Sequence, residues 1–201
     1  MDPLTTIFGI AILIFSVVIH EVAHGYAADS LGDPTARFAG RLTLNPLRHL
    51  DLVGSFIVPV LTAVAGGFIF GWAKPVPYNP YNISKKHGDA MVAIAGPVSN
   101  IVLAILAGLV MRFVMLPSGA VDILSFVVLI NIILALFNLI PIPPLDGSKI
   151  LFSFLPAHLS HFQEILERSG FFIVIIFVFF FWQLLVPVIF WLFRLITGTG
   201  F

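Results

Sequence analysis

LTTIFGIAILIFSVVIHEVAHGYAADS, residues 4–30, is the stretch that decides what kind of molecule this is. Leu4 to Ile19 contains no ionisable residue, and the run is long enough to cross a bilayer as one helix. Gly32 and Asp33-Pro34 close it. Inside lie His20-Glu21-Val22-Ala23-His24. A helix turns about 100° per residue, so residues four apart share a face and the two histidines can grip one metal ion. Glu21 projects about a quarter-turn away, within reach of a proton on a nearby water. This is the H-E-x-x-H signature, in which two imidazoles hold Zn²⁺ and the glutamate serves as general base. A charge at bilayer depth costs about 3 kcal/mol. Three titratable groups in such a setting point to a site.

Apolar residues make up 59% of the chain and charged residues 10%, against about 45–50% and 25% in soluble domains. Mean hydropathy is +1.08, and a 22.0 kDa soluble domain could not bury 21 phenylalanines. The composition therefore describes a polytopic membrane protein with one domain, residues 1–201. A net charge of zero without a basic run argues against nucleic acid as a partner. With no cysteine, a metal must be held by His, Asp or Glu. Met1-Asp2-Pro3 lacks the basic region of a signal peptide, so the first apolar run is expected to remain in the mature protein.

Further along, Arg41, Thr43 and Asn45 alternate with Leu42 and Leu44, a short strand signal. Leu52 to Trp72 is uncharged but interrupted by Pro59 and Gly66-Gly67; Pro75, Pro77 and Pro80 then force extended backbone. Ala90–Val114 and Ile123–Ile140 read as spanning helices. A short amphipathic segment comes next, carrying His158, His161, Glu164, Glu167 and Arg168, and Phe171–Phe193 reads as a last span. The fold class is thus an all-α polytopic membrane protein with about four transmembrane helices, a re-entrant helix–strand hairpin and short β elements.

Two histidines leave a tetrahedral zinc incomplete, because a catalytic site needs a third protein ligand and an open position. Asp146, where the prolines at 141, 143 and 144 break a spanning helix, is the outstanding candidate, and Gly147 would let the backbone approach closely there. Taken alone, Asp-Gly after prolines reads first as an ordinary turn; the presence of His-Glu-Val-Ala-His reverses this in favour of the ligand. Asn100 continues a ladder of small residues from Gly96 to Ala104 and Gly108, first a helix-packing face and second a site contributor. His49, His87, His158 and His161 fall in polar intervals and read as interfacial.

Taken together, His20–His24, Ala95-Gly96-Pro97-Val98-Ser99-Asn100, Trp72–Pro77 and Phe137-Asn138-Leu139-Ile140-Pro141 leading to Leu145-Asp146-Gly147 resemble the site-2 protease family of intramembrane zinc metalloproteases. The resemblance covers nearly the whole chain. It implies that His20, His24 and Asp146 bind one zinc ion per chain and that Glu21 is the catalytic base. It also places Asn138 near the developing oxyanion, where a lost donor costs about 10²–10³ in rate; an interhelical hydrogen bond is the competing role. The PDZ module of some relatives and the cystathionine-synthase-type domains of others are not expected in this chain.

The expected substrates are transmembrane proteins in the lipid bilayer. A transmembrane helix has all its amides paired, so it must unwind before cleavage. Arg41–Asn45 or Phe68–Pro77 then offers a backbone edge for it, or else serves as a connector. A homo-oligomer is left open. Two other classes compete: a zinc transporter or channel, which would need several half-sites and leaves Glu21 without a role, and an inactive scaffold, which would be expected to lose Glu21 or a ligand. Topology follows from zinc geometry. If Leu52–Trp72 crossed the membrane, Asp146 would emerge on the side opposite His24. If it enters and returns, the two share a side. That side then carries eight Lys/Arg (Arg37, Arg41, Arg48, Lys74, Lys85, Lys86, Lys149, Arg168) against two (Arg112, Arg194). The positive-inside rule makes it cytoplasmic. The expectation is a multi-pass protein of the cell membrane with both termini outside and its site opening toward the cytoplasm.

Overall fold

The computed structural model describes residues 3–51, 57, 74–156 and 159–198. In chain order its helices are α1 (Pro3–Ser30), α2 (Thr35–Phe38), α3 (Gly88–Phe113), α4 (Ser118–Asn138), α5 (Asp146–Phe154) and α6 (Ser160–Thr197). Of these α1, α3, α4 and α6 are long and apolar enough to cross a membrane. Helix α3 is central and packs against α1, α4, α5 and α6. Its buried face is built of small residues, Ala93, Gly96, Asn100, Ala104 and Gly108, while Val102, Leu106 and Leu109 on its other side are exposed. Small side chains let backbones approach closely, and this is what holds helices together when lipid is as apolar as leucine. Beyond them Ala104, Ala107, Val128, Ile132, Ile189 and Phe193 knit α3, α4 and α6 into one apolar cluster.

The expected amphipathic segment and last span are one continuous helix, α6, of 38 residues. At 1.5 Å per residue it is about 57 Å long, well beyond an apolar layer of about 30 Å. Gly170 at the junction does not break it. A Cβ there would run into the Pro143 carbonyl, so this glycine serves close packing against the proline turn.

No strand forms among the described residues, which corrects the short β element expected over Arg41–Asn45. The polar groups of that stretch are used locally. Arg41 N–H donates to Ala36 O, the His49 ring donates to Thr43 O, and Asn45 Oδ1 caps the Pro46–Arg48 turn by accepting from Leu47 N–H. His49, read as interfacial, is in fact buried, at 1% exposure. Residues 52–73 of the expected re-entrant hairpin, Ile57 apart, lie outside the described residues. Their flanks, however, meet: Lys74 N–H donates to His49 O at 2.9 Å.

Asp33 fastens the segment 79–82 to the end of α1. Fully buried just beyond that helix, its carboxylate accepts from Thr35 Oγ1, Asn79 N–H (2.6 Å) and Asn82 Nδ2 (2.7 Å). Burial opposes its charge, but these hydrogen bonds outweigh it and hold the carboxyl below the usual range. Arg41 reaches the same stretch of chain from the other end, donating through Nη2 to Lys74 O at 2.7 Å. Residues 74–82 are thereby clamped beside the C-terminal half of α1.

Candidate metal centre

His20 and His24, one helical turn apart on α1, point toward α3, and Asp146 enters from the first turn of α5. The three are buried. His20 Nε2, His24 Nε2 and Asp146 Oδ2 form a triangle whose sides are each 3.1 Å. Ligands around a tetrahedral zinc with bonds of about 2.0–2.1 Å stand about 3.3 Å apart. Each imidazole has its Nδ1 engaged away from the cluster, His24 donating to Val92 O at 2.7 Å and His20 lying 2.6 Å from Asn100 Oδ1. Both Nε2 atoms are thus turned inward. Two imidazoles and a carboxylate, aimed at one point with each ring's Nδ1 engaged outside it, form a donor set that fits a divalent cation. Among the described residues this is the one such group of three.

Two glycines make the convergence possible. A Cβ on Gly96 would lie 2.6 Å from His20 Cε1 and Nε2, and closer still to His24 Nε2, so this position of α3 is the wall against which both rings rest. A Cβ on Gly147 would run into the carbonyls of Leu139 and Ile140, so Asp146 reaches the site because the start of α5 packs directly on the end of α4.

The cluster lines a cavity of about 140 Å³. Glu21 is on the same wall, half-buried, its Oε2 accepting from Val76 N–H at 2.8 Å. Pro75, Val76 and Tyr78 close one side, and Asn138 another. Asn138 donates one N–H to Leu134 O in its own helix at 3.0 Å; its amide carries a second. Lys149 stands at the rim, Nζ 3.8 Å from Asp146 Oδ1 and 5.3 Å from the centre of the Tyr78 ring. Burial, helped by the negative charges of Asp89 and Asp146, pushes the Tyr78 phenol up to about 12, so it remains a hydrogen-bond donor at physiological pH.

Every residue singled out in the sequence for the site, His20, Glu21, His24, Asn138 and Asp146, borders this one cavity. Asn100 sits against His20 rather than only in a packing seam. Asp33, Val76 and Asn131 are structural participants that sequence reasoning does not single out. Asn131 carries a usable signal, since it is a polar residue inside the otherwise apolar run Phe126–Phe137. His87 contacts Ser153 O (2.8 Å) and stacks on Phe154; His161 is exposed; His158 lies outside the described residues.

The model of peptidase family M50 matches residues 114–179. "Putative zinc metalloprotease YwhC" of Bacillus subtilis strain 168 is 37% identical over 174 residues, covering 82% of this chain and 76% of that protein. "Putative zinc metalloprotease Rip2" of Mycolicibacterium smegmatis is 30% identical over 165 residues, 81% of this chain and 63% of that protein. A Methanocaldococcus jannaschii protein, "Putative zinc metalloprotease MJ0611", is 30% identical over 145 residues, 70% of this chain and 72% of its own length. No solved structure matches. With its four apolar helices and its buried His-His-Asp cluster, the chain belongs to peptidase family M50, the site-2 proteases.

Proposed function

We propose that this chain hydrolyses a peptide bond in or near the transmembrane segment of membrane-protein substrates, with His20, His24 and Asp146 as its zinc ligands. The meeting of His20 Nε2, His24 Nε2 and Asp146 Oδ2 on the wall of the cavity that Glu21 also lines carries the proposal. Zinc bound there supplies Lewis acidity toward a carbonyl and eases the ionisation of water. Glu21 takes the proton from the attacking water and passes it to the leaving amine. The second N–H of the Asn138 amide donates to the oxyanion. A transmembrane helix has all its amides paired internally, so the substrate unwinds before its peptide bond is reached. Pro75 and Val76 of the clamped segment border the cavity and guide the unwound strand. A transport route would need successive metal half-sites, for which the single described cluster gives no support.

The test is zinc content of the purified full chain. Wild type should carry about one equivalent, and His20→Ala, His24→Ala and Asp146→Ala should each lose most of it together with cleavage of a co-expressed single-span substrate. Stoichiometric zinc in Asp146→Ala would transfer the third ligand elsewhere.

The site faces the cytoplasm in this reading. Two spans, α3 and α4, separate His24 from Asp146, which returns the chain to its starting side provided 52–73 does not cross. The contact of Lys74 with His49 supports that condition, because it brings the flanks of the interval together. Single cysteines at the exposed positions Arg48, Ser84 and Gly119 offer a check with a membrane-impermeant thiol reagent on intact cells. Positions 48 and 84 should be protected and 119 labelled. Labelling that differs between 48 and 84 would mean that the interval crosses.

A further inference from the structure

Three buried polar residues in the spanning helices have no part in the mechanism above: Ser16 on α1, Asn100 on α3 and Asn131 on α4. They join into one chain ending on His20. Asn131 Nδ2 donates to Val127 O (2.8 Å) and to Ser16 Oγ (2.9 Å); Asn100 Nδ2 donates to Asn131 Oδ1 (2.7 Å); Asn100 Oδ1 lies 2.6 Å from His20 Nδ1. Each amide could in principle be turned about, exchanging its oxygen and nitrogen. Two backbone carbonyls forbid it, Val127 O beside Asn131 Nδ2 at 2.8 Å and, over a longer 3.4 Å, Ser16 O beside Asn100 Nδ2. Val127 O is a backbone carbonyl and can only accept, so the Asn131 atom facing it must be the NH₂. Asn131 then presents its oxygen to Asn100, whose NH₂ must meet it. The remaining oxygen of Asn100 can only accept, so His20 must carry its proton on Nδ1 and leave its Nε2 lone pair free.

We infer that Asn131 is a positioning residue for the metal centre, fixing the tautomer of His20 through Asn100 from the Val127 carbonyl. His24 reaches the same state in one step, because its Nδ1 donates directly to a backbone carbonyl, Val92 O. The Nδ1 of His20 meets the Asn100 amide instead, whose shorter hydrogen bond runs to Asn131 Oδ1 at 2.7 Å and whose direct contact with a backbone carbonyl, Ser16 O, is the longer one at 3.4 Å. With both nitrogens fixed, the inward triangle of Nε2, Nε2 and Oδ2 consists of three lone-pair donors, which is the state a cation requires. Placing the chain at 0% exposure, for both Asn100 and Asn131, keeps water from supplying the alternative polarity.

The inference rests on His20 being a metal ligand, and the test separates the two. Zinc affinity is measured by chelator competition on the full chain. Asn131→Leu should bind zinc about tenfold more weakly, the scale at which outer partners of metal ligands act. In an Asn100→Ala background, where the link between Asn131 and His20 is cut, the same substitution should change affinity less than about twofold. Ser16→Ala should bind as wild type, since Val127 O still orients Asn131. Equal losses from Asn131→Leu in both backgrounds would reduce Asn131 to packing and overturn the inference, as would no loss in either. Nitrogen-15 spectra of the histidine rings in zinc-free protein give a readout independent of the metal and of the Asn100→Ala variant. His20 should be the Nδ1–H tautomer in wild type and a mixture in Asn131→Leu; an unchanged tautomer sinks the relay. Full zinc retention by His20→Ala would overturn the ligand assignment instead, while leaving the tautomer result to stand on its own.

Discussion

Glu21→Gln should lower cleavage of a membrane-protein substrate by about 10²–10⁴-fold, the range over which a positioned acid–base group acts, while zinc stays near one equivalent per chain. The substitution is isosteric and touches none of His20, His24 or Asp146. Glu21 also has a second task, because its Oε2 accepts from Val76 N–H and so ties the 74–82 segment to α1. A glutamine oxygen can still accept that bond, whereas it cannot accept a proton from water. Glu21→Ala removes both functions, so the comparison separates them. If the loss is base chemistry, Gln and Ala should be equally inactive, with KM for the substrate raised only in Ala. Substantial turnover by Glu21→Gln would end the general-base assignment, and a raised KM in Gln as well would show that docking of the segment depends on the charge.

How much can be read from the sequence depends on how local the information is. His20, Glu21 and His24 fall within five consecutive residues on one helix, and helical periodicity alone puts the two imidazoles on one face. Asp146 is legible because it stands where prolines stop a spanning helix, and because two histidines on one helix leave a coordination shell open. The four spans are legible from apolar length. The joined roles of Asn100 and Asn131 are not, since their partners depend on how α3 and α4 are rotated against α1, and nothing in a single strand of sequence sets those rotations. The small-residue face of α3 shows the limit well. Spacing identifies Gly96 as a packing position, and it is one, but what packs on it is the pair of imidazole rings of His20 and His24 rather than another backbone. The continuity of α6 escapes a sequence reading for a related reason: the change from a charged amphipathic segment to an uncharged run reads as two elements, and only the contact of Gly170 with Pro143 reveals why the glycine between them is there. Arg41–Asn45 alternates like a strand, yet alternation without a neighbouring strand to pair with gives only an irregular segment.

Gly96→Ala should empty the metal site without unfolding the protein. The added methyl would stand 2.6 Å from His20 Nε2 and closer to His24 Nε2, where ordinary contact is about 3.5–4.0 Å. Either ring, or α3 itself, must therefore give way by about 1 Å. Metal–ligand distances tolerate about 0.2 Å. Rotation of the rings cannot absorb the difference, because each Nδ1 is held, one by Val92 O and one by Asn100 Oδ1. Separating α1 from α3 would instead strand those same buried partners. The expected outcome is a fall in zinc affinity of at least about a hundredfold, the upper end for losing a supporting group around a metal, and loss of cleavage with it. Gly108→Ala, also on α3, is the control. Its methyl would meet the Ile196 side chain of α6, away from the cluster. Any general displacement of α3 should appear in both variants, but only Gly96→Ala should lose zinc. Stoichiometric zinc in Gly96→Ala would mean that the rings do not rest on this wall when metal is bound, and the close fit of α1 to α3 would have to relax on loading.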